Sequence, residues 1–105
     1  MENQVNNKQE LLRILSEQGR KIFTFGVKRI GLFGSFVHET QKPDSDVDLV
    51  VEFETGQKTF ENFMQLSFFL EKLLQRRVEL VTRESLSPYI GPHILAEVED
   101  VSLAA

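Results

Sequence analysis

The sequence predicts an α/β (α+β) fold, with a small mixed β-sheet and helices packed mainly on one face. Three observations lead there. Short apolar runs that read as strands alternate with segments of helical periodicity. The order is helix, strand, short helix, strand, helix, strand, helix, which suits helices laid over a sheet whose other face stays partly open. The chain has 105 residues, enough for one hydrophobic core, so residues 1–105 are expected to form a single domain.

Each element has a local reason. Residues 1–4 read as a frayed end. From Val5 to Gln18, Leu11, Leu12, Ile14 and Leu15 fit one helical face, and Gly19 is a plausible stop. Val27 to Phe33 reads as a strand ending at Gly34. Ser35 to Glu39 is expected to make one or two helical turns, and Gln41 to Ser45 carries Pro43 and Asp44, which is turn chemistry. Asp46 to Phe53 reads as the second strand. Alternation sends Val47, Leu49, Val51 and Phe53 to one side and Asp46, Asp48, Val50 and Glu52 to the other. Thr55-Gly56-Gln57 is a loop. Thr59 to Gln75 is the longest helical segment, with apolar residues on more than one narrow stripe. Phe68 and Phe69 are adjacent there and cannot share a face, so one of them is a candidate partner surface. Arg77 to Thr82 is a third strand. Pro92 stands near the start of a last short helix that extends to about Asp100.

Composition narrows the function. Nine Phe against one Tyr and no Trp make Phe the main aromatic of the core or of an interface. Twelve basic and 16 acidic residues give a net charge of −4, which argues against gripping a nucleic-acid backbone by charge alone. An acidic chain still binds a nucleotide where a metal ion supplies positive charge. The absence of Cys excludes a disulfide framework and a thiolate zinc site. No apolar run reaches the roughly 18 residues of a membrane span, and the polar start is unlike a signal peptide, so a cytoplasmic location is the expectation.

The chemistry concentrates around two short stretches. Asp46 and Asp48 are two residues apart on an expected strand, so both carboxylates leave the same face about 6–7 Å apart. Like charges that close call for a cation. Magnesium takes one or two carboxylates and completes its shell with phosphate oxygens and water, and a pair of such ions clamps the attacking and leaving oxygens of a phosphoryl-type displacement. Gly34 lets the backbone approach a phosphate, and Ser35 adds a hydroxyl beside the amides that open a short helix. Helix capping by Ser35 uses the same geometry. Glu79 is the odd polar residue in the apolar strand Val78-Glu79-Leu80-Val81. If that strand lies beside the second, Glu79 meets the Asp pair, holds metal, and assists deprotonation of an attacking hydroxyl. A calcium loop over Asp44, Asp46 and Asp48 fails, because its sixth and twelfth positions would be Leu49 and Thr55. Asp44 is read as a turn former, and His93 as a helix-start residue without a chemical partner.

Gly34-Ser35, ten intervening residues and Asp46-Val47-Asp48 match the signature of the polymerase-β-like nucleotidyltransferases. The apolar strand Ile30-Gly31-Leu32-Phe33 before it and Leu49-Val50-Val51 after it match as well. Over about residues 22–82 the chain resembles the minimal nucleotidyltransferases, the MNT or MntA-type antitoxins. That resemblance implies a polymerase-β-like core, magnesium, ATP as nucleotide donor, a third acid at the place of Glu79, and a HEPN-domain toxin as partner, silenced by AMP transfer to a tyrosine. Two departures stand out. Where many members carry Ala-Arg-Gly this chain has Val37-His38-Glu39, and the third acid, usually Asp, is Glu79. Lys42 and Arg29 are candidates to replace the missing arginine. Two other functions stay open on the sequence: an antitoxin that acts by binding alone, and a transferase acting on a small molecule. Oligomeric state is left open too.

Overall fold

A computed structural model describes residues 4–103. Its strands are β1 (Val27–Phe33), β2 (Val47–Phe53), β3 (Val78–Thr82) and β4 (Glu99–Asp100), and they form one mixed sheet in the order β3-β2-β1-β4. Its helices are α1 (Lys8–Glu17), α2 (Gly19–Phe23), α3 (Ser35–His38), α4 (Phe60–Leu74) and α5 (Gly91–Glu97), with one 3-10 turn at Arg83–Ser85. β1 runs antiparallel to β2 and β4, and β2 runs parallel to β3. The crossover between the parallel pair is α4, as parallel neighbours require.

The expected alternation in β2 decides which face is core. Val47, Leu49, Val51 and Phe53 join Ile30 and Leu32 of β1 in one buried cluster. Leu11 and Leu15 of α1, Ile22 of α2, and Leu66, Leu70 and Leu74 of α4 belong to it, as do Phe36 of α3 and Val78 and Leu80 of β3. The wide apolar surface of α4 divides. Phe69 packs at the edge of the core, 5.5 Å from the ring of Phe25, whereas Phe68 and Phe60 are exposed. Val50 is buried outside that cluster, on the opposite face, where Val98 closes over Gly31. A side chain at residue 31 would collide with a Val98 methyl, so Gly31 is what lets the C-terminal segment lie on the sheet.

The structure corrects several expectations at the two ends. The fraying expected of residues 1–3 lies outside the described residues. Gln4 donates to the Pro43 carbonyl, and Val5 is fully buried with its amide bonded to Leu74 O. The first helix therefore starts at Lys8, capped by the Asn7 side chain, which accepts from the Glu10 amide. The first helix does end where expected, at Glu17 with Gln18 as its cap, and Gly19 directly after it opens the short helix α2. Gly19 sits against the Leu103 backbone, and a Cβ there would come within 2.9 Å of Leu103 O, so close chain approach is its reason. The last helix ends at Glu97, short of Asp100. Val98 turns extended, and Glu99 and Asp100 pair with Leu32 and Gly31 on the free edge of β1. The bonds offered by that edge outweigh continued helix.

Candidate active site

The site is assembled where the C-terminal end of β1 meets the N-terminal part of β2. Antiparallel register puts Phe33 opposite Asp48, so the turn at Gly34 lies directly over that carboxylate. Gly34 has φ 78, a conformation that favours glycine, and a Cβ there would collide with Asp48 Oδ2. The Gly-Ser half of the motif and the Asp-Val-Asp half are thus in contact through the one residue type that permits it. Ser35 is the first residue of α3, with Gly34 in the capping position, so its hydroxyl is not the helix cap.

Parallel register between β2 and β3 places Glu79 beside Asp48. Burial pushes the Asp48 carboxyl up to about 6, reinforced by the charge and hydrogen bond of Glu79 and by the charges of Asp46 and Glu97. Two acids side by side, one holding a proton more tightly than an ordinary carboxylate, form a donor set that a divalent cation would relieve. Asp46 stands just before β2 and lines a polar groove of about 240 Å³ with Pro43, Asp44, Ser45, Arg76 and Arg77. Among the described residues, no three His, Cys, Asp or Glu side chains are gathered into a metal-binding group. Asp48 and Glu79 are partners in register and the charge of Asp46 also acts on Asp48, a set that fits a magnesium ion drawing its other ligands from phosphate and water.

Two residues at this end, Arg76 and Glu97, carry roles that the sequence did not reveal. Arg76 is 6% exposed, and its guanidinium donates to the carbonyls of Val5, Lys42, Pro43 and Ser45 and to Asn6 Oδ1. It also lies 4.9 Å from the centre of the buried Phe36 ring of α3. A single side chain therefore ties the N-terminal segment, the approach to Asp46 and the helix after Gly34-Ser35. Glu97, at the end of α5, accepts from the Gly34 amide at 3.4 Å and lies 2.7 Å from His38 Nε2. Glu39 ends α3 in the left-handed region with φ 58, at the position where the resemblance implied a glycine in many members. Arg29 does not replace the missing arginine. It pairs with Glu52 at 3.5 Å, four residues down β1 from Phe33, roughly 13 Å along the strand.

This arrangement, a strand followed by a Gly-Ser turn over an acid of the next strand, defines a nucleotidyltransferase core, and the comparisons agree. The family model described as "Nucleotidyltransferase domain" matches residues 8–101, and the chain belongs to that family. Within it, the chain is a minimal nucleotidyltransferase. It is 46% identical over 74 residues to the protein adenylyltransferase MntA of Thermococcus cleftensis, covering 70% of this chain and 74% of that one. The Methanocaldococcus jannaschii protein MJ0435 is 37% identical over 91 residues, 83% of this chain and 97% of its own. A solved structure assigned to the minimal nucleotidyltransferases superposes with TM-score 0.69 at 32% identity, covering 84% of this chain and 93% of that one. A toxin–antitoxin crystal structure with AMP-PNP shares the fold, with TM-score 0.66 at 23% identity over 90% of this chain and 72% of that one. No helix among the described residues is long and apolar enough to cross a membrane.

Proposed function

We propose that this nucleotidyltransferase is a protein adenylyltransferase: it uses ATP and magnesium to transfer AMP to a hydroxyl of a toxin, of the HEPN-domain class, and so acts as the antitoxin of a pair. The observation that carries the reading is the register that sets Asp48 beside Glu79 and under Gly34. Gly34 and Ser35 would receive the β- and γ-phosphates. Asp46, Asp48 and Glu79 would hold the metal, which when bound neutralises phosphate charge and lowers the pKa of the attacking hydroxyl. Glu79 takes up the hydroxyl proton as the oxygen bonds to the α-phosphorus. The bond from that phosphorus to the bridging oxygen breaks, and pyrophosphate leaves. The adenylyltransferase name of the Thermococcus relative supports protein as acceptor, and the toxin–antitoxin structures support a toxin as partner. Exposed Phe68 on α4 is a candidate contact for it. We place this activity in the cytoplasm, where ATP is supplied.

The test is to incubate the chain with α-phosphate-labelled ATP, magnesium and the cognate toxin. Label on the toxin, absent with Asp48→Asn, is the expected result. A toxin inhibited without acquiring label would replace transfer by neutralisation through binding alone.

A further inference from the structure

The last residue of α5 turns a carboxylate back into the phosphate loop. Glu97 Oε1 accepts from the Gly34 amide at 3.4 Å, and Glu97 Oε2 lies 2.7 Å from His38 Nε2. These donors stand at the two ends of the Gly34-α3 segment that would receive the triphosphate, so a role for Glu97 there rests on the adenylyltransferase reading. A carboxylate oxygen and a phosphate oxygen use the same N–H donors, so they compete for them. The contact is open to an incoming ligand, since the His38 and Glu97 side chains are 55% and 31% exposed. It is also separable from the core. Within α5 only Gly91 is buried, and the pairing of β4 with β1 holds the following residues independently. Glu97 adds a further negative charge that acts on Asp48, where a triphosphate would bring several more.

We propose that Glu97 is an affinity-determining residue of the nucleotide site: its carboxylate holds the Gly34 and His38 donors and is displaced by a phosphate oxygen of the entering triphosphate. Each binding event then includes breaking this contact. Removing the carboxylate strengthens binding of phosphate-bearing ligands and leaves phosphate-free ones unchanged.

The experiment is calorimetric titration of the unaltered chain, Glu97→Gln and Glu97→Ala with a non-hydrolysable ATP analogue in magnesium, and with adenosine. Glu97→Ala is expected to bind the analogue about tenfold tighter, the scale of one charge-assisted hydrogen bond no longer in competition. Glu97→Gln falls between, and adenosine binding does not change. In the unaltered chain, the Glu97 side-chain carboxyl resonance shifts when the analogue is added, a readout that needs no variant to fold. Analogue binding that is unchanged or weaker in a folded Glu97→Ala overturns the proposal and makes Glu97 a brace for His38. A carboxyl resonance that stays in place while the analogue binds also overturns it. If the analogue binds neither the unaltered chain nor the variants, the nucleotide site itself is wrong and the competition falls with it.

Discussion

Two polar clusters flank the segment that leads into Asp46, and they are completed to different degrees. Around Arg76 one buried cation meets four carbonyls and the Asn6 amide oxygen, with an aromatic ring against it. Every acceptor there is supplied by the chain. Around Asp48 the chain brings together acids whose charges oppose one another, and half-buries the central one. The first cluster is satisfied by folding alone. The second is stable only to the extent that a proton, or a cation, sits among the acids. Buried polar groups that hold a fold tend to be satisfied, while those that act on a ligand are left with an unmet demand. The contrast separates scaffold from site at one end of one sheet.

The largest effect that would break this comparison is on transfer. Asp48→Asn keeps the shape and hydrogen-bonding reach of the side chain and removes its charge. AMP transfer is expected to fall about a thousandfold, the scale of losing one electrostatic stabiliser of a transition state. A gel assay with labelled ATP checks it, and activity within a few fold of the unaltered chain would make Asp48 part of the scaffold. Arg76→Met should act the other way round, mainly on folding. It leaves several carbonyls of Val5, Lys42, Pro43 and Ser45 without their donor, a loss of about 3 kcal/mol of stability. Urea unfolding measures it, and a loss well under 1 kcal/mol would show that water replaces the guanidinium.

A finer effect lies in pH. The Asp48 carboxyl is raised from its ordinary 3.8 to about 6 in the folded chain, so the folded state binds this proton more tightly than the unfolded one. Its contribution to stability is complete below about pH 4 and is lost as pH rises through 6. Without divalent cation, Asp48→Asn should therefore melt at a higher temperature than the unaltered chain near pH 8, and at the same temperature near pH 4. A difference that grows toward low pH would contradict the crowding of acids. The smallest effect concerns Glu39. Its left-handed conformation, φ 58, strains any residue with a Cβ. Glu39→Gly should stabilise the chain by about 1 kcal/mol in the same urea experiment, with transfer unchanged.

Much of the architecture was legible in the residues because periodicity is a local property. The alternation in Val47 to Phe53 named the core face of β2, and the single polar residue in Val78 to Val81 marked Glu79 as facing its other side. Pairing is not local. Nothing in Glu97 or Arg76 as letters says that one reaches back 63 residues to the Gly34 amide and the other 71 residues to Val5. The packing roles of Gly19 and Gly31 stayed silent for the same reason. Each is small because a distant segment, at Leu103 or Val98, lies against it. The departure at Glu39 was visible in the sequence as a broken pattern. Its cost became visible only once the backbone showed a left-handed cap there.

The measurement that bears most directly on the unfinished acidic cluster is a titration of the chain with magnesium and a non-hydrolysable ATP analogue, separately and together. Two adjoining carboxylates leave most of the metal's ligand positions to phosphate and water, so magnesium alone should bind weakly and the pair tightly, with Asp48→Asn abolishing the gain. Tight magnesium binding without nucleotide, or analogue binding as strong in chelator as in magnesium, would contradict the account.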